Sequence, residues 1–555
     1  MELTGAQALV EILVEEGVEI VFGLPGGCVL DIYDALARTK IKHVLVRHEQ
    51  AAVHAADGYA RATGKTGVCM ATSGPGATNL VTGLATAYMD SVPIVAVTGQ
   101  TPRRLLGKDS FQETDITGIT MPITKHNYLV KNPNDLPRVL KEAFHVASTG
   151  RPGPVLIDVP KDVSVLRVDA TAPQEVVLPG YKPVYEGHPV QIAEIAKAIA
   201  ASERPLMLVG GGVIRSGASA EVRLLAERCD IPVATTLMGL GAIPHDHPLY
   251  LGMVGMHGTA YANTAICECD LLLAFGVRFG DRVTGRVDCF AAKAKIVHVD
   301  IDPAEVGKNV RADVPVVGDV RNVLTRLLDL VTPARRQDWL ERVEEVKRSQ
   351  PLTYYRDGSL KPQYIIQQLG KILPEDAVIV TDVGQHQMWT AQYYPFRYPR
   401  SFISSGGLGT MGYGLPAAIG AQLGLPSRQV VLVTGDGSIQ MNIQELATAV
   451  NLGVPVKIVL INNGYLGMVR QWQQLLYGRR YVASRLDGNP DFVKLVEAYG
   501  ATGIAVTDEA AVRPALERAL ETEGVVLIDC RVAPEENVFP LVPAGQPLSN
   551  MIGGE

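Results

Sequence analysis

Asp436 and Asn463 have the types and the spacing to bind a divalent cation. The interval of 27 residues (463 − 436) is one strand–turn–helix–strand unit, so both side chains are expected at neighbouring strand ends. Mg²⁺ prefers such oxygen ligands and completes its octahedron with phosphate oxygens or water. The glycines of Gly435-Asp436-Gly437-Ser438 allow close backbone approach, and a helix opening near Asn442 would direct free N–H groups to the same phosphates. The segment therefore predicts a Mg²⁺-diphosphate site, although Asp-Gly is also common in ordinary turns.

Glu49 is a second candidate for chemistry. It ends the strand-like run His43–His48 and precedes an alanine-rich helical stretch. In open parallel sheets, ligands bind beyond the carboxyl ends of the strands, so a glutamate there could be a perturbed acid or base. Alternatively, Glu49 pairs with Arg47 or Arg61 on a solvated surface.

The composition is ordinary for a globular enzyme that acts on small molecules. Lys and Arg number 51 against 58 Asp and Glu, giving a net charge of −7, and no long basic cluster suggests nucleic-acid binding. The seven cysteines are scattered without a CxxC pair, which argues against a disulfide framework or a zinc site. The acidic amphipathic start differs from a signal peptide, and no apolar run reaches the roughly 18–20 residues of a membrane span, so we expect a cytoplasmic protein.

Short Val, Ile and Leu runs alternate with helix-length segments, which predicts parallel sheets covered by helices on both faces. Proline- and glycine-rich breaks at Ala170–Pro189 and Thr332–Pro362 divide the chain. We therefore predict an α/β protein with three doubly wound domains and mainly parallel central sheets. Their predicted bounds are 1–169, 190–331 and 360–532, followed by an extended tail over 533–555 that could fold over the site. Leu84–Ala87 and Leu446–Ala449 share sequence and offset from a Val-Pro pair, so the outer domains are expected to be related.

Several short motifs, taken in order, resemble one enzyme family. The Gly-Asp-Gly-Ser segment, with Asn-Asn ending 27 residues after its Asp, looks like the thiamine diphosphate (ThDP) signature. Further matching motifs are Gly23-Leu24-Pro25-Gly26-Gly27, Arg47-His48-Glu49-Gln50, Ser73-Gly74-Pro75-Gly76-Ala77-Thr78-Asn79, Ser110-Phe111-Gln112-Glu113, Gly150-Arg151-Pro152-Gly153-Pro154-Val155 and Pro160-Lys161-Asp162-Val163. Together they resemble the catalytic subunits of acetohydroxyacid synthase, also called acetolactate synthase, from about Thr4 to Met551. The resemblance implies the three-domain architecture of ThDP enzymes.

This resemblance implies a role for each matching residue at the cofactor. Glu49 would hydrogen-bond the pyrimidine ring and activate ThDP, while Asp436, Asn463 and the backbone carbonyl of Tyr465 would hold Mg²⁺ on the diphosphate. Met411 would support the bent shape of the cofactor. Further implied contacts are Val383, Gln385, Gly409, Gly435, Gly437, Ser438 and Met468.

The resemblance also implies a substrate pocket. Its residues would be Gly26, Phe111, Gln112, Lys161, Arg282, Met468, Val469 and Trp472. The guanidinium of Arg282 suits the carboxylate of a second 2-ketoacid, and Trp472 would form an apolar wall that favours a longer acceptor. Simpler alternatives are helix packing for Trp472 and a surface ion pair for Arg282.

The middle domain resembles the FAD-binding domain of the same family. Gly210-Gly211-Gly212 alone is a weak phosphate-loop signal, so FAD is expected from the resemblance. The implied FAD contacts are Arg151, Gly210, Gly211, Gly212, Thr236, Leu237, Met256, Gly276, Arg278, Asp300 and Asp319. Gly280 stands where the family usually has a second Asp, which questions the rigidity of that loop. Because carboligation has no net redox change, the flavin would be structural or a relic.

The implied activity is a carboligation. Pyruvate would be decarboxylated on ThDP, and the hydroxyethyl carbanion would condense with pyruvate or 2-ketobutyrate to give 2-acetolactate or 2-aceto-2-hydroxybutyrate, for valine and isoleucine biosynthesis. The resemblance also implies a homodimer or homotetramer in which Glu49 of one subunit meets Asp436 and Asn463 of another. The sequence leaves open whether a small regulatory subunit binds; no nucleic-acid or membrane partner is expected.

Three alternatives were considered. The nearest is a flavin-dependent pyruvate oxidase, against which Phe111, Gln112, Lys161 and Trp472 argue. The presence of Glu49 disfavours a glyoxylate-condensing relative. A non-catalytic scaffold is disfavoured by the intact set of Glu49, Asp436 and Asn463.

Overall fold

The computed structural model describes residues 2–169 and 176–553 and contains three six-stranded parallel sheets. Helices cover both faces of each sheet, which confirms the predicted α/β class. Part of the first predicted linker, residues 170–175, lies outside the described residues, and the domain bounds stay a prediction. Within the described residues, no helix is long and apolar enough to cross a membrane.

The N-terminal sheet has the strand order β3-β2-β4-β5-β7-β6, and β1 pairs with β8 beside it. The strands are β1 Glu2–Thr4, β2 Ile20–Leu24, β3 Lys42–Leu45, β4 Gly67–Ala71, β5 Ile94–Gln100, β6 His126–Leu129, β7 Pro154–Pro160 and β8 Arg167–Asp169. The helices are α1 Gly5–Glu15, α2 Leu30–Leu36, α3 Glu49–Thr63, α4 Pro75–Thr78, α5 Val81–Met89, α6 Ile116–Thr120, α7 Leu136–Ser148 and α8 Lys161–Val165. Alternate strand residues enter two separate cores, one on each face of the sheet.

The middle sheet has the strand order β11-β10-β9-β12-β13-β14. Its strands are β9 Pro205–Val209, β10 Val233–Thr235, β11 Tyr250–Met253, β12 Leu271–Phe275, β13 Lys295–Asp300 and β14 Val314–Val317. The helices are α9 Pro189–Ala201, α10 Gly211–Ser216, α11 Ser219–Cys229, α12 Ala260–Glu268, α13 Asp281–Thr284, α14 Val320–Leu330 and α15 Gln337–Ser349. Within the sheet the order is 3-2-1-4-5-6, that of dinucleotide-binding folds.

The C-terminal sheet has the strand order β16-β15-β17-β18-β20-β19. Its strands are β15 Val378–Thr381, β16 Phe402–Ile403, β17 Val430–Gly435, β18 Lys457–Asn462, β19 Thr502–Val506 and β20 Val526–Arg531. The helices are α16 Pro362–Ile372, α17 Gln385–Tyr393, α18 Gly414–Gly424, α19 Asp436–Ile439, α20 Glu445–Asn451, α21 Gly467–Leu476, α22 Phe492–Ala498 and α23 Glu509–Glu521. Numbered within each sheet, both outer sheets have the order 2-1-3-4-6-5, which supports the expected relation between the outer domains.

Helices α3 and α18 join the N-terminal and C-terminal sheets. They approach so closely that a Cβ at Gly58 would collide with the carbonyl of Ala417, and one at Gly420 with that of Ala55. Glycine is needed at these two positions because the helix backbones are in contact. The two outer units of one chain therefore form a tight pair.

The C-terminal tail is held against the rest of the chain. Val538 exchanges hydrogen bonds with the side chain of Gln471, at 2.8 and 2.9 Å. Further along, the Val542 N–H donates to the carbonyl of Met256 at 2.8 Å. The tail thus spans from α21 to the middle sheet.

Candidate functional site

A cleft lies at the point where the strand order of the C-terminal sheet reverses, between β15 and β17. This is where open parallel sheets bind ligands. Asp436 follows β17 and Asn463 follows the neighbouring strand β18, and both line the cleft. We name it the Asp436 cleft. The predicted residues that line it are Val383, Gln385, Met411, Gly435, Asp436, Gly437, Ser438, Asn463, Tyr465, Met468 and Val469.

The carboxylate of Asp436 is oriented by neutral donors. Its Oδ2 accepts hydrogen bonds from the Gly464 N–H at 3.0 Å and from Asn489 Nδ2 at 2.7 Å. Burial raises the pKa of Asp436 from 3.8 to about 6. A buried carboxylate without a charged partner is costly, and a bound cation would offset that cost.

Asn463 is held by its neighbours in the cleft. Its Nδ2 donates to Gln385 Oε1 at 3.1 Å, and its Oδ1 accepts from the Tyr465 N–H at 3.1 Å. Gln385 is itself tied to Gln471 through a 2.8 Å hydrogen bond. The carboxamide is therefore fixed before any ligand binds.

Helix α17 begins at the cleft and suits an anionic group. Its first residues, Gln385 and His386, line the cleft, where the N-terminal N–H groups and the helix dipole favour a phosphate. A Cβ at Gly435 would lie 2.8 Å from Nδ1 of His386, so glycine keeps this wall open. Nε2 of His386 is buried and has no hydrogen-bond partner among the described residues. These features fit a metal-bound diphosphate.

The helix expected to open near Asn442 is α20, which begins at Glu445, but none of its residues lines the Asp436 cleft. The helix that begins at the cleft on this side is the short α19, from Asp436. Asn442 is buried, and its Nδ2 donates to the carbonyl of Gly412 at 2.7 Å. It supports the turn beside Met411 instead of contacting a phosphate.

A cavity of about 1290 Å³ adjoins the cleft at the carboxyl edge of the middle sheet. The strand order of that sheet reverses between β9 and β12, so the cavity occupies its ligand-binding edge. The predicted FAD residues that line it are Arg151, Gly211, Gly212, Thr236, Leu237, Met256, Gly276, Arg278, Asp300 and Asp319; Gly409 lines it as well. Gly210 does not line it, because it packs against the Gly276 carbonyl. Val383, Met411 and Met468 line both spaces, which therefore adjoin.

The acidic residues of this large cavity have different environments. Burial raises the pKa of Asp300 to about 6, and its Oδ1 accepts from the Asp302 N–H at 2.9 Å. Asp319 caps α14 by accepting from the N–H of Arg321 at 2.9 Å. Gly280 is the N-cap residue before α13, with φ of −66°, and a Cβ there would meet nothing within 4 Å. Nothing in the loop therefore requires glycine at position 280.

Arg282 and Trp472 form one wall of the large cavity. The Arg282 guanidinium carbon lies 5.9 Å from the centre of the Trp472 ring, within reach of a cation–π contact. Arg282 also pairs with Asp281 at 2.6 Å, but both groups are exposed, so this ion pair is weak. Trp472 lies on α21 and is half-buried, with a face towards the cavity.

A second group lies at the carboxyl edge of the N-terminal sheet. Glu49 is the first residue of α3 and is buried, and its Oε2 accepts from Asn79 Nδ2 at 2.9 Å. The strand before it ends at Leu45, earlier than the predicted run to His48. The other predicted residues at this edge are Gly26, Phe111, Gln112 and Lys161. None of these five residues lines the Asp436 cleft or the large cavity.

The loop after β5 projects Phe111 outward. Phe111 is 87% exposed, and the adjacent Gln112 has a φ of +57° and packs on Gly74. Glu113 stabilises the loop by accepting hydrogen bonds from the N–H and hydroxyl of Ser110, both at 3.0 Å. The structure thus places Phe111 on the surface of one chain, outside the Asp436 cleft and the large cavity.

Sequence reasoning missed four polar residues of these sites. Asn79 stood within a quoted motif but had no assigned role. His386, next to the predicted Gln385, likewise had no assigned role, and Asn489 and Glu445 had no signal that could be read locally. Asn489 contacts Asp436 from 53 positions away, and Glu445 contacts Arg47 from 398 positions away.

Comparison with known proteins identifies the family. Models of the thiamine pyrophosphate enzymes match three segments: the N-terminal TPP binding domain over residues 3–119, the central domain over 192–327 and the C-terminal TPP binding domain over 382–530. The chain is 52% identical to a probable acetolactate synthase large subunit of Methanocaldococcus jannaschii, over 99% of this chain and 95% of that protein. It is 53% identical to an acetolactate synthase of Mycobacterium bovis (98% and 90%) and 52% identical to an acetolactate synthase large subunit of Corynebacterium glutamicum (99% and 90%). The resemblance seen in the motifs is thus confirmed, and the chain belongs to the thiamine pyrophosphate enzymes, within the acetolactate synthase large-subunit family.

Proposed function

We propose that the protein decarboxylates pyruvate and joins the resulting two-carbon unit to a second 2-ketoacid, pyruvate or 2-ketobutyrate. The observation that carries this proposal is the junction of the Asp436 cleft with the cavity wall formed by Arg282 and Trp472. The junction would bring a diphosphate-anchored cofactor next to a cationic and aromatic acceptor site. The products, 2-acetolactate and 2-aceto-2-hydroxybutyrate, serve branched-chain amino acid synthesis.

Asp436, Asn463 and the carbonyl of Tyr465 would hold Mg²⁺ on the diphosphate of ThDP. When bound, ThDP supplies the nucleophilic carbon and the electron sink for decarboxylation. Gln385 and Ser438, with the start of α17, would orient the diphosphate. Met411, at the mouth of the cleft, would support the rest of the cofactor.

Glu49 would come from a second copy of the chain. Within one chain it lies outside the cleft, at the edge that also carries Gly26, Phe111, Gln112 and Lys161. Asn79 holds Glu49 Oε2, which leaves Oε1 for the pyrimidine ring. A homodimer is therefore the minimal active unit in this proposal, and association into a tetramer is compatible with it. Some relatives are named large subunits, so we also propose a smaller partner subunit.

Arg282 would bind the carboxylate of the acceptor. Its guanidinium lies over Trp472, and its Nη1 donates to Asp281 at 2.6 Å, an exposed and weak pair that a substrate carboxylate would replace. The ring of Trp472 would contact the acceptor side chain. An ethyl group would gain more apolar contact than a methyl group, which favours 2-ketobutyrate.

FAD would occupy the large cavity. The 3-2-1-4-5-6 strand order and the close contact of Gly210 and Gly212 with Gly276 fit a dinucleotide. The contact between this cavity and the Asp436 cleft also supports a second candidate, a flavin-dependent pyruvate oxidase. Anaerobic mixing of enzyme, pyruvate, ThDP, Mg²⁺ and FAD distinguishes the two, because only the oxidase bleaches the flavin stoichiometrically and faster than acetolactate forms.

The main test supplies pyruvate and 2-ketobutyrate together, with and without FAD, and measures both products by the colour assay for acetoin-type compounds and by mass spectrometry. We expect both condensation products and an excess of the 2-ketobutyrate product. No product above background from protein with ThDP demonstrably bound would refute the proposal and favour a scaffold.

A further inference from the structure

Glu445 is a buried carboxylate outside both cavities, at the contact between the two outer units. It is fully buried at the start of α20. Its Oε1 accepts a hydrogen bond from the N–H of Arg47 at 2.9 Å, and its Oε2 accepts from Thr448 Oγ1 at 2.6 Å. The N–H of His48 also donates to this carboxylate. A C-terminal side chain therefore holds the backbone directly before Glu49.

Burying this carboxylate is costly. Burial raises the pKa of Glu445, and its donors are mostly neutral backbone and hydroxyl groups. A packing role alone would be served better by an apolar residue. What the carboxylate provides is two strong acceptors for successive N–H groups, which have left the sheet because β3 ends at Leu45.

Thr448, one helical turn along α20, strengthens the same contact. Its hydroxyl donates its one proton to Glu445 and lies 3.3 Å from the carbonyl of Leu45, so Thr448 orients the Glu445 carboxylate and contacts the start of the segment from Leu45 to His48. His48 in turn caps α3, since its Nδ1 accepts from the Gln50 N–H at 3.1 Å. The contacts of Glu445 and Thr448 with this segment therefore set the direction in which α3 leaves the sheet and, with it, the position of Glu49.

We propose that Glu445 is a positioning residue that fixes the carboxylate of Glu49 relative to the pyrimidine ring of ThDP. The proposal rests on the proposed function, in which Glu49 serves the cleft of the partner. Glu445 belongs to the same chain as Glu49. The C-terminal domain that binds one ThDP through Asp436 therefore also orients, through Glu445, the Glu49 side chain that activates the ThDP in the cleft of the partner.

The test measures proton exchange at C2 of bound ThDP in the dimeric holoenzyme, by acid quench and NMR, in Glu445→Ala, Glu445→Gln and the parent. Glu445→Ala should slow exchange by about 10²-fold, because a displacement of about 1 Å has that effect on a positioned group. Glu445→Gln keeps an acceptor for Arg47 and should stay within about threefold of the parent. The affinity for ThDP and Mg²⁺ should be unchanged in both, since Glu445 does not line the cleft. Glu497→Gln, an exposed glutamate on α22, is the matched control.

Amide hydrogen exchange gives a second readout that does not require substrate. The N–H groups of Arg47 and His48 should be protected in the parent and in Glu445→Gln and should exchange faster in Glu445→Ala. If Glu445→Ala does not fold, Thr448→Val is measured in its place. This variant removes the hydroxyl that donates to Glu445 and should slow C2 exchange severalfold.

Unchanged C2 exchange in Glu445→Ala, or in Thr448→Val where it stands in, would overturn the proposal. Equal losses in the alanine and glutamine variants would also overturn it, because they would indicate a role for the charge itself. If the parent forms no acetolactate while C2 exchange still depends on Glu445, the positioning role stands and the proposed function falls.

Discussion

Replacing Asp158 by asparagine tests how burial sets the pH dependence of stability. Asp158 lies on β7 and is 1% exposed. Its oxygens accept hydrogen bonds from Thr98 Oγ1 at 2.7 Å and from Gln100 Nε2 at 2.9 Å. Both donors are neutral, so burial dominates and raises the pKa of Asp158 from 3.8 to about 7. Gln100 also donates to the carbonyl of Thr114, which links this pair to the loop that carries Phe111 and Gln112.

The size of the effect follows from the two pKa values. Below pH 3.8 the carboxyl group is protonated in both the folded and the unfolded protein, and ionisation costs nothing. Between pH 3.8 and about 7 the unfolded state releases the proton while the folded state keeps it, so the free energy of unfolding falls by about 1.4 kcal/mol per pH unit. Above pH 7 the free energy of unfolding no longer falls, and its total decrease is up to about 4 kcal/mol.

The assay compares thermal unfolding midpoints of the parent and Asp158→Asn between pH 4 and pH 8. Asparagine has the shape of the protonated acid but cannot ionise. The unfolding midpoint of the variant should therefore rise relative to that of the parent as the pH rises. Between pH 4 and pH 8 the difference should change by about 10 °C, because 1 kcal/mol shifts the midpoint by about 2–4 °C for a domain of this size. The gain should level off above pH 7.

Asp329→Asn is the control, because Asp329 is an exposed aspartate on α14. It should follow the pH profile of the parent. A difference between Asp158→Asn and the parent that stays constant from pH 4 to pH 8 would refute the assigned cause, since only an ionisation that differs between folded and unfolded states gives a pH-dependent difference.

Four further predictions concern the sites. Glu49→Gln should keep ThDP affinity while carboligation drops by about 10²–10⁴-fold, and full activity would remove Glu49 from the mechanism. Asn489→Ala removes one of the two donors to Oδ2 of Asp436 and should weaken Mg²⁺ binding in the presence of ThDP by about 10–100-fold in a calorimetric titration; unchanged affinity would contradict an orienting role. Trp472→Leu should lower the preference for 2-ketobutyrate over pyruvate by about tenfold in competition, and an unchanged product ratio would rule out the apolar wall. Gly280→Asp should be tolerated and should raise the unfolding midpoint by about 1–2 °C, because it adds a cap to α13; a lower midpoint would mean that the loop does need glycine.

The sheets were predictable because buried parallel strands read as continuous apolar runs. Two of these runs, Val431–Val433 and Ile458–Ile461, lie in β17 and β18. Strand order was not predictable, since it depends on crossovers and not on local sequence. The end of β3 was misplaced for a related reason: the N–H groups of Arg47 and His48 bond to Glu445, a remote side chain, instead of continuing the sheet.

The site was predictable where one short segment carries its chemistry. Gly435-Asp436-Gly437 supplies a candidate ligand and an open turn together, so the motif can be recognised on its own. Asn489, which orients the same carboxylate, approaches from a loop after α21 and has no pattern of its own. Residues that position others are chosen by tertiary contacts, so they appear only in the folded structure.

The shared strand order of the outer sheets fits the proposed site between two copies of the chain. Each outer sheet reverses its order between its first and third strands, and each has a glycine turn at that point: Gly26 and Gly74 in one, Gly435 and Gly437 in the other. A cofactor with a ring at one end and a diphosphate at the other can use both edges. Within one chain, however, α3 and α18 hold the two units with Glu49 outside the Asp436 cleft. Under the proposed function, two copies, each supplying the edge that the other lacks, would bring both ends of the cofactor into contact with protein.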